Sequence, residues 1–125
     1  MQQSTKYDIV GFFDASKKAS EQIETEFGYK SFPSMESLIN ASDMVVVVTP
    51  TSAHFECAEK VIKAGKHLFI EKPITQTVAQ AEQIRDLAKE MKVRGQVGQV
   101  ERFNPAFQAI KDKIHNPMFI ETHRL

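Results

Sequence analysis

Two apolar runs constrain this chain more than any other feature: MVVVV at residues 44–48 and HLFI at residues 67–70. β-Branched residues in a short unbroken run favour a strand buried on both faces. The segment between the runs has room for one helix, which is the crossover that two parallel neighbours require. Each run ends in polar residues, Thr49-Pro50 after the first and Glu71-Lys72-Pro73 after the second. Ligands of open α/β sheets bind beyond the carboxyl ends of the strands, so these residues are expected on one functional rim.

The rest of the chain continues the alternation. Residues 7–13 read as a buried strand ending at Asp14, followed by a helix over 17–27 with Gly28 as its stop. Ser34 is placed to cap a short helix reaching Ala41, and Ser52 to cap one over 55–64 that ends at Gly65. From Thr77 a longer helix shows Val78, Ala81, Ile84, Leu87, Ala88 and Met91 at helical spacing. Residues 93–100 read as a strand interrupted by Gly95 and Gly98. Asn104-Pro105 then opens an amphipathic helix carrying Phe107, Ile110 and Ile114, and residues 118–125 alternate like a last strand. Strands alternating with helices predict an α/β, doubly wound parallel sheet. A dinucleotide-binding sheet normally opens with a strand and a glycine-rich turn that meets the pyrophosphate. Gly11, Gly28, Gly65, Gly95 and Gly98 form no such cluster.

The 125 residues suit one core, and sixteen basic against sixteen acidic residues leave no net charge to attract nucleic acid or an anionic membrane. One cysteine, Cys57, and no apolar stretch of spanning length point to a reducing, cytoplasmic setting, with Cys57 as a small buried thiol. His54, His67, His115 and His123 are scattered, so a metal site is not expected. Asp14 can accept hydrogen bonds from both hydroxyls of an adenosine ribose, or can simply serve the following helix as a cap. Lys17 and Lys18 nearby soften discrimination against a 2′-phosphate. The hydroxyl-rich turn from Thr49 to His54 can line a cofactor or merely cap a helix, and a lone histidine there is more often structural than catalytic. Lys72 is the chief catalytic candidate: an ammonium at a pocket mouth polarises a carbonyl or stabilises an alkoxide, although most lysines at strand ends are only solvated.

Three segments, TPTSAH at 49–54, AGKHLFIEKP at 64–73 and VGQVERFNPAF at 97–107, resemble in order and spacing the glucose–fructose oxidoreductase / inositol dehydrogenase (Gfo/Idh/MocA) family. The likeness covers nearly the whole chain. It implies a Rossmann-like domain binding NAD, with NADP possible, and hydride transfer with a sugar, cyclitol or related alcohol. Carried over residue by residue, it places Asp14 at the adenosine ribose and Thr49, Pro50, Ser52 and His54 near the cofactor. Glu71 and Pro73 fall toward the nicotinamide, and Lys72 beside both nicotinamide and substrate. It also implies domains at 1–104, a partial NAD(P)-binding domain, and 105–125, the crossover helix and first strand of a second domain.

The departures from the family carry expectations of their own. The glycine-rich turn and the Asp and His of the second domain are not matched, so the chain is expected to be truncated at both ends and inactive alone. The family's first strand lies between the strands matched by residues 7–13 and 45–49. Its lack predicts an incomplete sheet and a homo-oligomer that covers the gap. A rival reading is a phosphoacceptor receiver domain, imitated by Asp14, Thr49 and Lys72 in order, but only Asp8 is acidic where receivers carry a metal-holding pair. A non-catalytic interaction or assembly module is the third.

Overall fold

The computed structural model describes residues 6–121 and 123. Helix α1 (Lys17–Phe27) starts at Ser16, whose hydroxyl accepts the Ala19 N–H, and ends at Gly28, where φ of 69° suits a residue without a Cβ. Helix α2 (Met35–Ala41) opens with a capping box in which Ser34 and Ser37 satisfy each other's backbone N–H groups. Strand β1 (Met44–Val47) follows, then α3 (Thr51–Lys63), β2 (His67–Ile70), α4 (Val78–Glu90) and β3 (Gly95–Val97). Thr77 caps α4 by accepting the Gln80 N–H. A short 3-10 turn (Val100–Phe103) leads into α5 (Pro105–Ile110) and a second 3-10 turn (Lys111–Lys113). No helix of the described residues is long and apolar enough to cross a membrane.

The three strands form an open parallel sheet in the order β1-β2-β3. Both strand-to-strand crossovers are helices, as parallel pairing demands. Val45 and Val47 of β1, with Leu68 and Ile70 of β2, point to the face covered by α3 and α4, where Ala58, Val61, Ile62 and Ile84 complete the core with Ile39 of α2. Cys57 is partly buried and packs against that core. The alternation explains the other face: Met44 and Val46 of β1 and Phe69 of β2 are only half covered or exposed.

Four expectations need correction. Residues 7–13 run extended but form no strand; their one tie is a parallel bridge from Phe12 to Ser31, with Phe12 N–H donating to Lys30 O and Phe32 N–H to Phe12 O. Tyr7, Ile9 and Val10 are exposed, because this segment has no ladder partner on its inner side. Helix α3 starts at Thr51 rather than Phe55, with Pro50 as its N-cap and no side-chain cap bond, so Ser52 lies inside the first turn and does not cap. The expected strand over 93–100 shrinks to Gly95–Val97. Residues 118–121 are not a strand, and Met118, Phe119 and Ile120 are exposed with no ladder partner among the described residues; Thr122, Arg124 and Leu125 of the expected last strand lie outside those residues.

The helix expected after Pro105 does form, but it stops at Ile110 and leaves Phe107, Ile110 and Ile114 exposed. The energetic contrast between core and tail is measurable. Ile62→Ala removes a fully buried side chain and should cost about 2–5 kcal/mol in urea unfolding. Phe107→Ala, at 47% exposure, should stay within about 0.5 kcal/mol of the parent.

Candidate functional site

Strand register builds the rim. Val47 pairs with Ile70 and Ile70 with Val97, so the next residues of each strand, Val48, Glu71 and Gly98, emerge at one level. Glu71 N–H donates to Val47 O at 3.0 Å and Gly98 N–H to Ile70 O at 2.8 Å, which carries the ladder one residue past each strand. Thr49 and Pro50 stand exposed where β1 turns into α3. Lys72 stands exposed after Glu71, and its peptide bond to Pro73 is cis. The sheet therefore brings Thr49-Pro50 and Glu71-Lys72-Pro73 to neighbouring turns at the same end, as the two apolar runs predict.

The Glu71 carboxylate folds back onto its own turn, Oε2 accepting the Lys72 N–H at 3.2 Å. Its other oxygen lies over Gly98. A Cβ on Gly98 would sit 3.0 Å from Glu71 Oε1 and 3.1 Å from Phe69 Cε1, a tight fit that would make the carboxylate and the ring give by a few tenths of an ångström. Sequence reading treats Gly98 merely as an interruption of a strand. The missed signal is its position directly after a strand, level with a functional carboxylate.

His54 lies in the first turn of α3 and is 1% exposed. Its ring bridges the two turns: Nδ1 is 2.8 Å from Pro73 O and Nε2 is 2.8 Å from Thr49 O. The buried ring serves the backbone of the rim rather than its open side. Ser52, two residues earlier in the same turn, is exposed.

Asp14 follows the extended 7–13 segment. Its Oδ1 accepts the Ser16 N–H at 2.7 Å, while the helix cap itself is Ser16. The carboxylate thus has a local structural duty and one uncommitted oxygen, rather than two oxygens free for a diol. Phe13 and Val48 line a common cavity of about 280 Å³ between the 7–13 segment and β1.

The groups whose titration the fold shifts lie elsewhere. A hydrogen bond from its own backbone, helped by the Lys60 ammonium, holds the Glu36 carboxyl below its ordinary range, and the Glu56 carboxylate holds Lys60 above its own. Arg85 and Asp86 stabilise each other's charges in the same way. A concavity of about 500 Å³ lies between α3 and α4 among Phe55, Glu59, Gln83, Asp86 and Glu90, away from the strand ends. Its size does not make it the site, because a ligand at a parallel sheet meets the converging turns at the carboxyl edge.

A nicotinamide dinucleotide fits this arrangement in part. The level rim, with a glycine beside Glu71 and an ammonium next to it, suits the nicotinamide end, and the open Asp14 oxygen suits a ribose hydroxyl. The described residues hold no glycine-rich turn aimed at a pyrophosphate.

Known proteins share the pattern. UDP-N-acetylglucosamine 3-dehydrogenase of Acidithiobacillus ferrooxidans is 33% identical over 118 residues, which cover 94% of this chain and 38% of that protein. Its solved structure superposes with a TM-score of 0.79 at 34% identity, over 83% of this chain and 34% of that one. The scyllo-inositol 2-dehydrogenase (NAD(+)) of Bacillus subtilis is 35% identical over 104 residues, 81% of this chain and 30% of the relative. The chain thus spans about a third of the length of these relatives. Residues 1–99 match the family described as the oxidoreductase family, NAD-binding Rossmann fold (Gfo/Idh/MocA). With an open parallel sheet, helical crossovers and this match over most of its length, the chain belongs to the Gfo/Idh/MocA oxidoreductases.

Proposed function

We propose that the chain supplies the dinucleotide side, with the substrate lysine, of an oxidoreductase acting on a sugar, cyclitol or related alcohol. The observation that carries this is the level rim, which sets Thr49-Pro50 beside Glu71-Lys72-Pro73 at the carboxyl ends of adjacent parallel strands. In this reading residues 1–104 form the nucleotide-binding part, and 105–125 begin the passage to a second domain. NAD is the preferred cofactor, because the Asp14 carboxylate opposes a 2′-phosphate, although Lys17 and Lys18 admit NADP.

A bound nicotinamide dinucleotide supplies the hydride acceptor. Lys72 would donate a hydrogen bond to the substrate oxygen and stabilise the negative charge left there as the hydroxyl proton departs to water, a charge that is lost again when the carbonyl forms. Glu71, holding the Lys72 backbone N–H, keeps the turn in shape, and Thr49, Pro50, Ser52 and Pro73 line the cofactor side. His54 acts from beneath, on the turns themselves. The receiver reading loses to the family match over residues 1–99. The setting is taken as cytoplasmic, and the substrate as a small molecule rather than nucleic acid or membrane.

Self-association is part of the same reading. In the β1–β2 ladder Asp43 and Val47 direct their carbonyls to β2, so the backbone groups of Met44, Val46 and Val48 face the open edge. Unpaired edge groups beside exposed apolar residues favour a second chain. Static light scattering should give a mass above that of one 14.2 kDa chain, and a monomer at every concentration would refute this.

Cofactor binding has its own test. Titration of the purified chain should quench or enhance NADH fluorescence saturably, and Asp14→Ala should weaken binding about tenfold by losing one charged hydrogen bond. Lys72→Met should change it by less than about threefold, because the nicotinamide ring of NADH that it neighbours carries no charge for the ammonium to hold. Absence of any saturable signal would overturn the dinucleotide reading. Turnover is a separate matter: of the rim histidines and carboxylates, His54 is buried against two carbonyls and Glu71 is committed to a backbone N–H. The chain alone should therefore reduce no NAD across a panel of sugars and polyols, followed by nicotinamide absorbance.

A further inference from the structure

The two hydrogen-bond partners of His54 are both backbone carbonyl oxygens, and a carbonyl can only accept. A neutral imidazole carries one N–H and one lone pair. At 2.8 Å from each oxygen, one nitrogen of a neutral ring would turn its lone pair against a carbonyl lone pair. The imidazolium, with two N–H groups, satisfies both, and bonds from a charged donor are roughly twice as strong as neutral ones.

We propose that His54 is a buried imidazolium that ties Thr49 O to Pro73 O, fixing the spacing of the two rim turns and thereby positioning Lys72. It is a positioning residue: its ring touches neither turn's side chains in these bonds, only their backbone. The proposal goes beyond the dinucleotide reading and requires no bound cofactor.

Two effects oppose the charge. Burial disfavours a cation, and the N-terminal turn of α3 presents the positive end of the helix dipole. No carboxylate offsets them, since the ion pairs of the described residues involve Lys60, Lys63, Arg85 and His123. On its own helix, Glu56 pairs with Lys60 and Glu59 with Lys63, and Cys57 is one turn on. From the neighbouring turn come Lys72, a like charge, and Glu71, which accepts from the Lys72 N–H. The local balance therefore rests on two carbonyl dipoles aimed at the ring from opposite sides. They are full partners, one per nitrogen, whereas a neutral ring keeps one bond and turns the other contact repulsive.

His67 supplies an internal contrast. Its Nδ1 accepts the Arg94 N–H at 3.2 Å, so that nitrogen carries no proton in this geometry. Long-range ¹H–¹⁵N NMR of the ¹⁵N-labelled full chain reads both rings at once. His54 should show two protonated ring nitrogens with slowly exchanging N–H protons at neutral pH, while His67 shows one protonated and one bare nitrogen. A His54 ring with one bare nitrogen at neutral pH overturns the imidazolium.

The positioning role is read from the parent chain and from His54→Phe, which keeps bulk without N–H donors. In the parent, raising the pH until His54 deprotonates should shift the amide signals of Glu71, Lys72 and Ile74 together with those of Ala53 and Phe55, leaving α4 amides in place. His54→Phe, if folded, should reproduce those shifts at neutral pH. Rim amides that stay fixed when His54 loses its proton overturn the positioning role, and that measurement stands even where the variant does not fold.

Discussion

The pairing of β1 with β2 is the contact on which the rest depends. Aligning Val47 with Ile70 places Val45 and Leu68 on the same face, over α3, and makes the two strands end together. A slip of one residue would turn Val45 and Val47 toward the uncovered face and would separate Thr49 from Lys72 along the sheet. Core and rim are thus two results of one register. The fully buried Ala58, Val61 and Ile62 of α3 hold that register by filling the face that Val45, Val47, Leu68 and Ile70 present.

Helix α3 links the same pairing to chemistry. One side of its body packs the core, and its first turn delivers His54 to the carbonyls beyond both strands. The crossover that parallel strands require therefore also braces the loops at their ends. This brace acts on main chain, so the side chains of Thr49, Glu71 and Lys72 remain directed to the rim. The sheet is less complete at its β1 edge, where the 7–13 segment approaches but is held by one bridge. Gly11 lets the segment run close against residues 30–32: a Cβ there would lie 2.2 Å from Lys30 O, and its φ of 147° is one that other residues avoid.

The parts legible in the sequence are those governed by local chemistry. Gly28 stops α1, Ser34 caps α2, Thr77 caps α4, and the two apolar runs fall into the sheet where their composition places them. The misread parts depend on partners that a linear pattern does not contain. Tyr7, Ile9 and Val10 are as apolar as a strand, yet a strand is defined by a ladder, and only Phe12 finds one. Phe107, Ile110 and Ile114 keep helical spacing without a surface to cover, so α5 ends after six residues. At α3 the hydroxyl of Ser52 suggested a cap, but Pro50, with φ near −55°, already sets the entry of the helix. Of the site, Lys72 and its neighbours were visible as polar residues after strands, whereas the burial of His54 and the role of Gly98 emerge only when the turns are level.

The narrow space above Gly98 carries a consequence for how this site can vary. Because the Glu71 carboxylate lies where a Cβ on residue 98 would project, positions 71 and 98 share one volume although 27 residues separate them. A side chain at 98 would press on the Glu71 carboxylate and displace it by a few tenths of an ångström, loosening its hold on the Lys72 N–H, already 3.2 Å away. The shape of the turn below the lysine is thus tuned in part by a glycine that follows a different strand.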